Sequence, residues 1–349
     1  MSANRRWVNS LLLIALAVAL LVLAFRKVDL AHLRDGFRQV HYGWVGLALL
    51  VGLAAHTVRA IRWRILIEPI DHRLPLLNVL CAVFVGYLTN LAFPRLGEVA
   101  KCGSISKTDG TRFEALLGTV VVERTSDLLL TLLLTLLVLA LRFERFGAFI
   151  IERIALPLRD KLLAVSALAY VTMAVVGTVV VAGAVLAVRR NLLGERISGK
   201  LRQLWQGMAD GLRSLFGSGR MPAFLALTVL LWAAYWGMTW AVLRSTPITA
   251  GLGPIDALFI MVVGTYGMVV PVQGGFGAFH IITAISLGIY GISYDDGLLF
   301  AIVSHESQTL LLIAGGLAAF IYLYLRRYRA SNKRTNSTPS GHQNVVEED

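Results

Sequence analysis

Charge is what this sequence has least of. Of its 349 residues only 15% are Asp, Glu, Lys or Arg, where a soluble domain carries about 25%. Residues 257–294 contain none of the four. Such a chain cannot clothe a soluble surface. Cysteine is nearly absent too: Cys81 and Cys102 are the whole complement, which excludes a disulfide framework and any cysteine-based metal motif. The long apolar runs lack the period-two alternation of a membrane barrel. No stretch is long and polar enough for a separate catalytic domain.

What is present is apolar length. Hydrophobic residues make up 56% of the chain and mean hydropathy is +0.69. A helix needs about 20 apolar residues to cross about 30 Å of hydrocarbon. In that solvent backbone groups must bond internally, so the expected fold is an all-α polytopic membrane protein. Spans are expected at 8–25 (a retained signal anchor), 43–61, 115–141, 163–188, 222–243 and 298–325. Two further segments are interrupted. The run 76–93 ends in "NLAFPRLGEVAK", and 257–294 is broken at "VVPVQGGFGAFH".

Loop charge bears on how those two run. The net charge is +12, which in a membrane chain reflects cytoplasmic loops and anionic headgroups rather than nucleic acid. The N-terminus, 59–73, 189–220 and 326–334 are basic, whereas 245–256 and 291–296 hold no Lys or Arg. These signs fit if both interrupted segments dip in and return, from opposite sides. The expectation is therefore about six full spans plus two re-entrant or broken hairpins, a possible inverted repeat, with both termini cytoplasmic. Residues 142–161 fit least well: they fall outside yet carry five Lys/Arg against three acids. Residues 26–41 and 195–217 read as amphipathic interfacial helices. A single transmembrane domain spans 1–330, and the polar tail 331–349 reads as disordered.

Four clusters could carry chemistry, because ionisable groups inside a membrane face a cavity or one another. In "RAIRWRIL", Arg59, Arg62 and Trp63 share a helical face, suited to a lipid phosphate or to plain snorkelling. In "NLAFPRLGEVAK", Asn90 is a polar group at membrane depth, and Pro94 and Gly97 break the helix. Arg95 and Lys101 add positive charge there, with Glu98 able to pair with either. In "ERTSD", Glu123 and Asp127 stand four apart on one face with Arg124 beside them. Two like charges on one face demand cations, so arginines of the first two clusters are the expected partners. Proton coupling is a second use for this charge network. The fourth cluster is the break at Pro271, Gly274, Gly275 and Gly277, with His280 after it and His305 and Glu306 in the last span. These three are candidates for headgroup contact. No closely spaced ligand pair supports zinc, so no metal and no cofactor is expected.

The elements "RAIRWRIL", "N…PRLGE", "ER…D" and "PVQGGFG", in that order over nearly the whole chain, resemble the lysylphosphatidylglycerol synthase transmembrane-region family of flippase-like integral membrane proteins. The resemblance implies a bacterial or archaeal inner-membrane protein. The family's best-understood members move a headgroup-modified phospholipid between leaflets, and relatives accompany hopanoid, glycolipid or polyprenyl-phosphate pathways. Arg59, Arg62, Trp63, Asn90, Pro94, Arg95, Gly97, Glu98, Glu123, Arg124, Asp127, Pro271, Gly274, Gly275 and Gly277 match family positions. Two places depart from the pattern. The family commonly has an acid after the glycine motif, where this chain has Ala278, Phe279 and His280. It commonly has an arginine and a tyrosine near the place of "SHESQ" in the last span. The soluble aminoacyl-transfer domain of full synthases is absent, so synthase activity does not carry over. The expected role is a flippase for a phospholipid or lipid-linked intermediate. The alternative is a membrane-embedded transferase or an accessory subunit of lipid biosynthesis. Expected partners are the lipid, anionic phospholipids and biosynthetic enzymes, with oligomerisation left open and nucleic acid excluded.

Overall fold

A computed structural model describes residues 29–141 and 219–336, together with the isolated positions Val22 and Gln206. The expected spans 8–25 and 163–188 and the amphipathic helix 195–217, apart from Val22 and Gln206, lie outside the described residues. Within them the protein is all-helical, as the sequence requires. Nine α-helices run α1 (Leu30–Arg38), α2 (Tyr42–Ile67), α3 (Leu76–Ala92), α4 (Gly97–Asp109), α5 (Phe113–Leu141), α6 (Met221–Ser245), α7 (Pro254–Val269), α8 (Ala278–Leu287) and α9 (Tyr294–Asn336). The helix α9 continues past Asn332, and residues 337–349 lie outside the description.

Four helices are long and apolar enough to span a bilayer: α2, α5, α6 and α9 up to Arg327. They coincide with four of the expected spans. Their outward faces stay apolar, as with Leu128, Leu129, Leu133 and Leu136 on α5, because lipid replaces water there. Two ends can be told apart by contacts. His41 N–H donates to the Ser245 carbonyl at 2.7 Å, joining the start of α2 to the end of α6. At the other end Arg220 pairs with Glu68, and Thr111 donates to Asp71 at 2.8 Å. This second end also holds Arg64, Arg73, Lys107 and Arg326 and is the basic one.

Both interrupted segments are hairpins. Helix α3 has 17 residues and α7 has 16, about 26 and 24 Å, short of a full crossing. Phe93 is extended (φ −134°, ψ 105°), as the residue before a proline prefers. Arg95 then adopts φ +63°, the single non-glycine left-handed residue among those described. Across the break the Asn90 side chain accepts from the Gly97 N–H at 2.7 Å, capping α4. A Cβ at Gly97 would stand 2.4 Å from the Gly86 carbonyl oxygen, so α3 and α4 close only over a glycine. The hairpin base is pinned where Asn78 Nδ2 meets Asp109 at 2.9 Å and Arg326 meets Asp109 at 2.9 Å. Its two ends therefore return to the basic end.

The second hairpin enters from the opposite end. Between α7 and α8 the chain turns at Gly274, Gly275 and Gly277, with φ of 55°, 79° and 77°. Phe279 of α8 lies against Gly264 and Gly267 of α7, and the hairpin closes where Phe259 meets Tyr290, ring centroids 6.2 Å apart. The tips of the two hairpins meet: Arg95 Nη2 donates to the Val269 carbonyl at 3.4 Å, and Leu91 fills the space beside Gly274. Helix α9 packs along both. The short α1, capped by Asp29, lies at the start of α9, with His32 Nε2 2.7 Å from Asp296 Oδ1.

Two predictions follow from this packing. Gly97→Ala should destabilise the protein by about 1–3 kcal/mol, because the added methyl meets backbone rather than a yielding side chain. Gly103→Ala, which has nothing within 4 Å, should be neutral or stabilise by up to about 1 kcal/mol. Unfolding in nanodiscs compares the two. The hydrogen bond and charge of Asp296 hold the exposed His32 above its ordinary value. That stabilisation is full below the unfolded value of about 6.5 and is lost as pH rises through the folded one. The melting-temperature gap between wild type and His32→Ala should thus be present at acid pH and vanish at alkaline pH.

Candidate functional site

Asp127 is the central residue of α5, and Glu123 lies one turn toward the basic end. Both turn inward onto α2. Arg59 Nε donates to Glu123 Oε1 at 2.9 Å, and Arg59 Nη2 to Asp127 Oδ2 at 3.1 Å. Arg62, one turn on, pairs through Nη1 with Asp127 Oδ1 at 2.7 Å and through Nη2 with Glu123 Oε1 at 3.4 Å. From the first hairpin Lys101 Nζ reaches Glu123 Oε2 at 2.8 Å and Glu98 Oε2 at 3.2 Å. Arg124 closes the ring on Glu98 Oε1 at 2.6 Å.

This network is dry inside and open at one edge. The Glu123 and Arg62 side chains are 0% exposed, whereas Glu98 is 27% and Arg124 45% exposed. Neutral groups complete the shell: Arg59 Nη1 donates to Tyr87 at 2.9 Å and Tyr235 at 3.1 Å, and Arg62 Nη1 donates to Thr228 at 3.3 Å. Trp63 Nε1 donates to Thr119 at 2.9 Å, and its ring carries the Lys101 ammonium 4.1 Å from the centroid, a cation–π contact strengthened by desolvation. Arg62 Nε is buried without a hydrogen-bond partner among the described residues.

Charges, counted from the same contacts, are four cations (Arg59, Arg62, Lys101, Arg124) against three carboxylates (Glu98, Glu123, Asp127). The surplus is one positive charge. Three sequence clusters thus meet in one network. Arg95 does not join it. Glu98 takes Lys101 and Arg124 as partners, and Arg95 sits at the hairpin tip on a backbone carbonyl. Asn90, Pro94 and Gly97 shape the tip and the start of α4 and do not touch the acids. Tyr87, Tyr235, Thr119 and Thr228 went unseen in sequence, since a lone hydroxyl in an apolar run carries no spacing signal. A tyrosine three residues before Asn90 was the nearest hint.

At the second hairpin, Pro271, Gly274, Gly275 and Gly277 form the break, and His280, His305 and Glu306 gather beside it. Their ligand-type atoms all lie within 4.8 Å of one another. They are separate from the arginine network.

A family model described as "Lysylphosphatidylglycerol synthase TM region" matches residues 10–334. The chain belongs to this family. No curated protein and no solved structure gives a match. Membership makes the protein an integral membrane protein of lipid-related function, and the apolar spans agree with that.

Removing one partner from a buried network leaves the others uncompensated, at about 3–5 kcal/mol, whereas an exposed pair is worth about 0–1. Arg62→Ala should therefore cost several kcal/mol, and Arg38→Ala, whose pair with Asp35 is exposed at 3.4 Å, under about 1. Unfolding midpoints in a fixed detergent measure both.

Proposed function

We propose that the protein moves a phospholipid or lipid-linked intermediate between leaflets, and that the buried network receives the lipid phosphate. The surplus positive charge carries this reading. A lone charge in a low-dielectric site is costly, and a phosphodiester brings the single negative charge that cancels it. Arg124 and Glu98, the exposed members, form the entrance. The phosphate joins Glu98 on Arg124 and Lys101, and Arg62 Nε offers it a further donor. Arginine suits the task because its planar fork grips two oxygens at once.

The opposed hairpins supply a route. Broken helices that meet in the middle of a membrane protein are the usual place for a transporter's site, because irregular backbone is tolerated only where it lines a cavity or is covered by protein. Arg95 at the tip contact is positioned to pass the phosphate from one hairpin to the other. The positive-inside tendency puts the basic end in the cytoplasm and both termini with it, in a bacterial inner membrane.

The test is reconstitution into liposomes with a fluorescent phospholipid, following accessibility to an external quencher. Glu98→Gln and Arg124→Gln touch the exposed edge, so folding should survive. Each should slow translocation at least about tenfold, the loss of roughly one charge-assisted contact. Wild-type rates in both variants would sink the phosphate-binding mechanism. Absence of translocation by the wild type, with a chemically altered lipid in its place, would favour the transferase.

A further inference from the structure

The cluster at the second hairpin makes a demand that the arginine network does not meet. His305 Nε2 lies 2.7 Å from the Gly274 carbonyl oxygen. A carbonyl only accepts, so Nε2 carries a hydrogen. The other ring nitrogen, Nδ1, lies 3.0 Å from Glu306 Oε1 and 3.4 Å from Thr309 Oγ1. In a neutral ring Nδ1 would then be a bare lone pair facing a carboxylate oxygen. Two acceptors at 3.0 Å repel, and a carboxylate at this depth would stand uncompensated.

His280 does not supply the missing charge. Its Nδ1 accepts the Gly277 N–H at 3.3 Å, so its hydrogen is on Nε2, 3.2 Å from Glu306 Oε1. That is a neutral ring donating to a carboxylate. The same hydrogen bond argues against a metal. A metal on His280 Nε2 would require the hydrogen on Nδ1, where it would meet the Gly277 N–H head on.

We infer that Glu306 and His305 form a binding site for one proton, which ties the second hairpin's glycine break to α9. With the proton in place, His305 donates both ways, to Glu306 and to Gly274, and the pair is neutral. Without it the Glu306 contact becomes repulsive and the Gly274 bond remains the ring's only strong one. Glu306 is His305's neighbour on α9, so the repulsion is relieved by turning the His305 ring, which carries the Gly274 bond and the contact with Phe276 of the break, centroids 5.0 Å apart. The Glu306 side chain is 36% exposed, so the carboxylate lies at the edge of the packed cluster.

Neighbouring elements leave the task to these residues. Helix α8 has no other titratable group. On α3 the candidates are Cys81 and Tyr87, and Tyr87 is taken by Arg59. On α7 they are Asp256, in its first turn, and Tyr266, bonded to Thr135 at 2.9 Å. On α2, His56 packs on Phe84 and Tyr87, and Arg59 and Arg62 are engaged with carboxylates. On α6, Tyr235 is taken by Arg59 and Arg244 by a backbone carbonyl. Lys101 of α4 belongs to the arginine network, His32 of α1 to Asp296, and Arg95 to Val269.

This inference stands apart from the lipid reading, since its readout is the proton and needs no lipid. The full-length protein is labelled with nitrogen-15 histidine in lipid nanodiscs and followed by NMR from pH 5.5 to 8.5, His305 being assigned by His305→Asn. The expected result is a doubly protonated His305 in the wild type and a neutral His305 at the same pH in Glu306→Gln. Amide hydrogen exchange at 273–279, corrected for intrinsic rate, should quicken as that proton leaves. A His305 that is neutral throughout overturns the inference from the wild type alone, whether or not the variant folds. So does a doubly protonated His305 that persists unchanged in Glu306→Gln, or exchange that ignores the proton. Tight uptake of one zinc ion that needs all three side chains overturns it in favour of a metal site.

Discussion

The constraint on which the rest depends is the burial of Glu123. A carboxylate with no exposure, beside Asp127 on the same helix face, cannot persist in a low-dielectric interior unless cations come to it. Two of them come from α2 and one from α4, at 2.8–3.4 Å. This fixes how α2, α5 and the first hairpin sit. Van der Waals packing between helices is weakly selective in lipid, where the surroundings are as apolar as the helices. A charge network is selective. Misregister by one turn would leave Glu123 or Arg62 without a partner.

The two hairpins are the second level. Each is too short to cross, and each turns back at a point where the sequence supplies proline and glycine. The first closes over the Gly86–Gly97 contact and the Asn90 cap, the second over Gly264 and Gly267 against Phe279. Their tips touch through Arg95 and Val269. A hairpin entering from either end, with polar backbone exposed at the tip, needs a partner there. In this protein each tip is partly the other's cover, and α9 is the wall they share. The arginine network sits beside the first hairpin and the histidine cluster beside the second, so each hairpin has its own group of ionisable side chains.

Several features were legible in the sequence because they follow from local chemistry. Four described spans appear where apolar length called for them. Loop charges argued that 76–112 and 257–294 return to the side they entered, and the Asn78–Asp109 and Phe259–Tyr290 contacts have that geometry. The pairing of Glu123 and Asp127 with Arg59 and Arg62 followed from like charges on one face. Glu98 was open between two partners in sequence, and distance alone gave it to Lys101 and Arg124. Helix geometry explains the choice: Glu98 and Lys101 lie one turn apart on α4, whereas Arg95 precedes the helix and points along the left-handed turn to the other hairpin.

Composition and periodicity alone determined that this is an all-helical membrane protein with two broken segments, since a bilayer leaves an apolar chain few other options. The order of its motifs marked its family. Tertiary structure alone decided which cations meet which acids, that they outnumber them by one, and that Arg95 stands apart. It alone brought His280, His305 and Glu306 to the glycine break and turned each ring nitrogen toward a donor or an acceptor. Those are matters of a few ångströms between segments far apart in the chain. Spacing along a sequence fixes faces of one helix, but contact between helices depends on how their backbones pack.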